Sequence, residues 1–117
     1  MVRIMIADDS DSIRIVLRDI ISLGNHEIAG ESVDGNDTVE KYKSIKPDIL
    51  LLDLAMPKKD GVTVTKEILE FDPHAKIIII TATDNQRIIQ QCLDLGAKKC
   101  ILKPFEFFDV LNVINSL

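Results

Sequence analysis

Asp48-Ile49-Leu50-Leu51-Leu52-Asp53 sets four aliphatic side chains in a row between two acids, and Lys76-Ile77-Ile78-Ile79-Ile80-Thr81 sets four more between a lysine and a threonine further along the chain. A strand with one wet face alternates apolar and polar residues. A run without alternation suits a strand covered on both faces, as in a parallel sheet flanked by helices. Three more short runs read as strands: Val2 to Ala7, Glu27 to Ser32, and Lys99 to Leu102. Between the runs lie helical patterns. Ile13, Val16, Leu17, Ile20 and Ile21 follow helical spacing, with Ser10, Asp11 or Ser12 available to cap the start and Gly24 to end it. Further helices are expected over Asn36 to Ile45, Val62 to Phe71, Asn85 to Leu95 and Glu106 to Ser116, with turns or stops at Pro47, Pro57, Gly61, Pro73, Gly96 and Pro104. The order is βαβαβαβαβα. Such alternation with short loops implies one parallel sheet with right-handed crossovers and helices on both faces.

Composition bounds the function. The chain has 117 residues, 46% hydrophobic and 28% charged, and is expected to form one globular domain over residues 1–117. Fourteen Lys plus Arg against 19 Asp plus Glu leave a net charge of -5, so a nucleic-acid backbone would meet mainly repulsion and direct nucleic-acid binding is not expected. No apolar run approaches the ~20 residues needed to cross a bilayer, and the first residues lead straight into acids, which gives the expectation of a cytoplasmic protein without a membrane contact. Cys92 and Cys100 lack metal spacing and sit among apolar residues, where a buried free thiol is the ordinary outcome.

In an open parallel sheet, ligands bind beyond the carboxyl ends of the strands. The polar residues at those ends are Asp8-Asp9 after strand one, Asp53 after strand three, Thr81 on strand four and Lys103 after strand five. Ionised carboxylates ~4 Å apart repel by roughly 4 kcal/mol per pair at an effective dielectric near 20, so three together need a counter-charge. Lys103 supplies one. A divalent cation supplies two, and the lack of a nearby His or Cys favours Mg2+, with Mn2+ possible, over Zn2+ at a weak, solvent-accessible site. A metal would also hold Asp53 ionised and able to attack phosphorus, with Lys103 and the Thr81 hydroxyl stabilising the transferring oxygens. Plainer roles exist for each residue alone: Asp8, Asp9 and Ser10 could cap a helix, Thr81 could serve a turn, and Lys103 could be a solvated charge. Capping does not account for Asp53 and Lys103 in the same set.

Four motifs in order, Asp8-Asp9, Leu52-Asp53-Leu54-Ala55-Met56-Pro57-Lys58-Lys59-Asp60-Gly61, Thr81-Ala82 and Lys103-Pro104-Phe105, resemble the receiver domain of response regulators, closest to the single-domain chemotaxis regulators, over the whole chain. The resemblance implies a flavodoxin-like, doubly wound fold with strand order 2-1-3-4-5 and five flanking helices. It also implies that Asp53 accepts a phosphoryl group from a sensor histidine kinase or phosphotransfer domain. Asp9 and Asp53 would then bind Mg2+ directly, Asp8 through water, and Ala55 through its backbone carbonyl. Lys103 matches the residue that pairs with the phosphoryl group, the Lys103-Pro104 bond matches a cis bond, and Thr81 matches the switch hydroxyl. Such a domain is a switch that catalyses its own phosphorylation and dephosphorylation rather than an enzyme with a separate substrate. Its output partner meets the face of helix four, strand five and helix five, and a monomer is expected.

The chain departs from that pattern at Cys100, three residues before Lys103, where most relatives carry a Tyr or Phe that swings between buried and exposed positions. Ala55 and Thr83 match the two positions whose side chains, the resemblance implies, tune phosphate hydrolysis. On the first helix, Ile15 falls opposite the apolar stripe, and with Arg14 it is expected to touch the phosphodonor protein. Phe107 is expected in the core, and Phe108 at its edge or against an output partner. Two other readings stay open here: a receiver cut from a longer regulator with an output domain, and a Mg2+-dependent phosphohydrolase using Asp53 as nucleophile.

Overall fold

A computed structural model describes residues 2–117. Ten elements alternate: β1 Arg3–Ala7, α1 Asp11–Leu23, β2 Glu27–Ser32, α2 Gly35–Ile45, β3 Ile49–Leu52, α3 Gly61–Phe71, β4 Ile77–Thr81, α4 Gln86–Leu95, β5 Lys99–Leu102 and α5 Phe107–Asn115. The five strands form one parallel sheet in the order β2-β1-β3-β4-β5, the flavodoxin-like arrangement.

The uninterrupted aliphatic runs feed two cores, because successive strand side chains point to opposite faces. Met5, Leu50, Leu52, Ile77 and Ile79 face α2, α3 and α4, where they meet Val39, Tyr42, Val64, Ile68 and Cys92. Ile4, Ile6, Ile49, Leu51, Ile78 and Ile80 face α1 and α5, where they meet Leu17, Ile20, Ile21, Val110, Leu111 and Ile114. Cys92 is buried and Cys100 half-buried against the first core, and both are free thiols. Burial raises the pKa of each, which keeps them protonated and inert as packing groups.

Helix starts follow their caps. The Ser10 side chain accepts from the Ile13 N–H, Asp34 from Asp37, Asp60 from Thr63, and Asn85 from Arg87 and Ile88. Asn85 therefore caps α4 from outside instead of opening it, and α2 begins one residue earlier than its apolar pattern suggests. One member of the expected α1 stripe is misplaced: Val16 is 44% exposed. At ~100° per residue Val16 lies on the rim of the arc centred on Ile13, Leu17 and Ile20, and the face α1 turns to the sheet is too narrow to reach it.

Candidate functional site

Strands β1, β3 and β5 each continue for one residue past their last paired position, and those continuations, with Thr81 at the end of β4, build the site. The Asp8 N–H donates to the Ser32 carbonyl at 3.1 Å, Asp53 N–H to the Ala7 carbonyl at 2.9 Å, and Lys103 N–H to the Thr81 carbonyl at 2.8 Å. The ladder thus carries Asp8, Asp53, Thr81 and Lys103 side by side onto one edge, at the carboxyl ends of β1, β3, β4 and β5. The reversal of strand order lies between β1 and β3, the two strands that end in aspartates.

Asp8 is 1% exposed and Asp53 4%, while Asp9 projects into solvent. One carboxylate oxygen from each of the three lies within 4.8 Å of the others. Asp8 Oδ1 accepts from the Ser10 N–H at 2.9 Å, and its Oδ2 from Lys103 Nζ at 2.8 Å. The same ammonium stands 3.7 Å from Asp53 Oδ1, which also accepts from the Ala55 N–H at 3.2 Å. Burial first, and the charge of Asp8 second, push the Asp53 pKa up, against the pull of the Ala55 N–H and Lys103. One lysine does not neutralise this edge. Three carboxylates without His or Cys among them form an all-oxygen donor set, which suits a hard divalent cation.

Thr81 is buried, and its hydroxyl oxygen accepts from the Thr83 N–H at 3.2 Å. Ala55 and Thr83 stand on the loops to either side, both at the rim of a cavity of about 810 Å³ that includes Asp9, Asp53, Thr81 and Lys103. The Lys103-Pro104 bond is cis. The cavity continues past Asp60, Val62, Ile88 and Gln91. Asp60 belongs to the Leu52 to Gly61 motif, whereas Val62, Ile88 and Gln91 were not singled out for the site from the sequence, since Val62 and Ile88 look there like ordinary helical core residues.

The other candidate positions, Arg14, Ile15, Phe107 and Phe108, do not line this cavity. Ile15 is 51% exposed, as its place opposite the stripe predicts. Arg14 is not a free neighbour: its guanidinium donates to the Asp8 carbonyl at 2.7 Å and pairs with Asp11 and with Glu31 at 3.3 Å. Phe107 packs against the second core. Phe108 is 69% exposed, its ring edge-on to Phe107 with centroids 5.2 Å apart. Leu95 and Leu102 are further exposed apolar residues on α4 and β5.

A doubly wound sheet with buried acids and one lysine at its switch point defines the phosphoacceptor class of α/β signalling domains. Residues 4–115 match the response regulator receiver domain, and the chain belongs to that family. It is 41% identical to chemotaxis protein CheY of Thermotoga maritima over 115 residues, 98% of this chain and 96% of that protein. It is equally, 41%, identical to protein CcdB of Bacillus subtilis, with the same coverage. Among solved structures it is similar to that of the CheX-CheY-BeF3-Mg complex from Borrelia burgdorferi, with a TM-score of 0.94 at 36% identity over 97% of this chain and 87% of that one. The chain is thus a CheY-like receiver of two-component, chemotaxis-type signalling, a phosphoacceptor switch and not an enzyme of the hydrolase kind. A kinase partner follows from that family membership. No helix among the described residues is long and apolar enough to cross a membrane.

Proposed function

We propose that Asp53 accepts the phosphoryl group, with Mg2+ held by Asp9, Asp53 and the Ala55 carbonyl directly and by Asp8 through water. The observation that carries this reading is the convergence of three carboxylate oxygens within 4.8 Å on an edge that holds a single ammonium. Bound Mg2+ would supply the positive charge that offsets the acids and the transferring phosphoryl oxygens. The chain's own groups do the rest. Asp53 forms its new bond to phosphorus as the P–N bond of a kinase phosphohistidine breaks, and the electron pair leaves with the imidazole. Lys103 stands within reach of both Asp8 and Asp53, so a phosphoryl group on Asp53 competes with Asp8 for its ammonium. The Thr81 hydroxyl donates a hydrogen bond to a phosphoryl oxygen, which draws the β4-α4 loop toward Asp53 and biases the receiver toward its signalling state.

The face that reads this change is formed by α4, β5 and α5, where Leu95, Leu102 and Phe108 are exposed, and Ile15 is the contact for the phosphodonor protein. Arg14 acts there by holding the Asp8 backbone. Cys100 takes part as half-buried packing and leaves Thr81 to act through its loop. Ala55 and Thr83 set the phosphate lifetime from the cavity rim. The chain works as a monomeric cytoplasmic unit in this reading.

Intact-mass spectrometry after incubation with acetyl phosphate, with Mg2+ and with EDTA, tests the proposal. A labile gain of one phosphoryl group that needs Mg2+ and vanishes in Asp53→Asn supports it. A gain that persists in Asp53→Asn, or in EDTA, removes Asp53 or the metal from the reaction.

A further inference from the structure

We propose that the cleft between α3 and α4 is a subsite for the uncharged, apolar part of a small acyl phosphate, and that Val62 and Ile88 set the preference for it. The inference rests on the phosphoacceptor role of Asp53. Pockets that bury whole small-molecule ligands run from roughly 300 to 1,000 Å³, and this cavity, at about 810 Å³, belongs among them. A phosphoryl group and one cation occupy only the end bounded by Asp9, Asp53, Thr81 and Lys103. The remainder is walled by Val62 of α3 and Ile88 of α4, with Gln91 and Thr63 beside them.

The wall is firm as well as apolar. Val62 and Ile88 are half-buried and pack on the core beneath them. Ala55 and Ala82 also line the cavity and are small, so the way from Asp53 into the cleft is not filled by a side chain. Charge then selects the ligand. Past the end where Mg2+ and Lys103 offset Asp9 and Asp53, the charged residue of the lining is the acid Asp60. A donor with a second carboxylate is repelled, and a hydrocarbon group gains by leaving water.

In the transfer, an Asp53 carboxylate oxygen bonds to phosphorus while the P–O bond to the acyl carboxylate breaks, and the electron pair departs with that carboxylate. No proton moves. In-line displacement places the leaving carboxylate on the side of phosphorus away from Asp53, so its hydrocarbon part is the portion of the donor free to enter the cleft.

The test compares benzoyl phosphate with acetyl phosphate on the native chain with Mg2+. Second-order rate constants come from intact mass well below saturation, each divided by that donor's own rate of spontaneous hydrolysis as the dianion, which breaks the same P–O bond, to remove intrinsic reactivity. Benzoyl phosphate is expected to react about tenfold faster, the gain of burying part of a ring. Ile88→Gln and Val62→Thr are expected to lower the benzoyl-to-acetyl ratio several-fold. Equal normalised constants on the native chain overturn the subsite with no variant needed, as does a ratio untouched by both substitutions. If neither donor modifies Asp53, the phosphoacceptor reading falls and the subsite with it. If both modify it without discrimination, that reading stands and the subsite alone is lost.

Discussion

Asp53 is a carboxylate withdrawn from water beside a second buried acid, and its raised pKa has a consequence for stability. A carboxyl that binds its proton more tightly folded than unfolded contributes stability that is complete below the unfolded pKa and is lost as pH rises through the folded one. At neutral pH without divalent metal, the ionised group therefore opposes folding. Asp53→Asn is expected to stabilise the metal-free protein by on the order of 1 kcal/mol and to flatten the loss of stability as pH rises above the ordinary aspartate range, read from urea midpoints. Adding Mg2+ is expected to raise the native midpoint through preferential binding to the folded state and to raise that of Asp53→Asn less. An Asp53→Asn chain less stable than the native one at neutral pH would show that Lys103 already compensates both acids.

Two helix starts frame the loop that carries Ala55. Asp60 caps α3 by accepting from the Thr63 N–H and Thr63 Oγ1, each at 2.9 Å, and the Thr63 N–H bond is the main cause of its lowered pKa. A carboxyl with a depressed folded pKa stabilises above its unfolded pKa, and the contribution disappears as pH falls through the folded value. Asp60→Ala is expected to cost about 1 kcal/mol at neutral pH, and the gap to the native chain should close in acid below about pH 3.8. Thermal melts at two pH values measure it, and a gap that stays constant would assign the loss to packing. At the other end of the loop, the Gly35 N–H donates to the Pro57 carbonyl at 3.1 Å. A Cβ on Gly35 would stand 2.2 Å from the Lys59 carbonyl oxygen, an atom held by backbone and unable to rotate away. Gly35→Ala is therefore expected to cost about 1–3 kcal/mol through overpacking and to weaken Mn2+ binding, measured by electron paramagnetic resonance, because Ala55 moves with the loop. Loss of stability with unchanged Mn2+ affinity would separate α2 from the metal site.

Across the molecule, the sheet is covered unequally. β3 and β4 are buried along their whole length between two helical layers, whereas β2 forms an edge with only Ser32 fully buried. Central strands open only with global unfolding, and edges open by smaller fluctuations. Amides of Leu50 to Leu52 and Ile77 to Ile80 are expected to exchange with deuterium far more slowly than those of Ile28 to Glu31, by hydrogen-exchange mass spectrometry. Equal protection would mean that α1 and α2 lock β2 into the same cooperative unit. The site stands at the carboxyl edge of the two most protected strands, so Asp53 and Thr81 are held by the part of the fold that moves least, while the loops after them remain free to respond.

Much of this was legible in the chain before folding. Unalternating Ile and Leu runs require cover on both faces, helical spacing between them supplies that cover, and a parallel sheet follows from connections of that length. The acids, hydroxyl and lysine were legible too, because the chemistry of a strand end depends on which residue comes next in sequence. What local order could not express is distance between elements. The 2.8 Å bond of Lys103 to Asp8 in preference to Asp53, the capture of Arg14 by Asp8 and Glu31, and the exposure of Val16 each depend on how two elements meet. The cleft walled by Val62 and Ile88 depends on it as well. Periodicity assigns a side chain to a face, whereas only the packed positions of the helices settle whether that face meets core, a counter-charge or an open cavity.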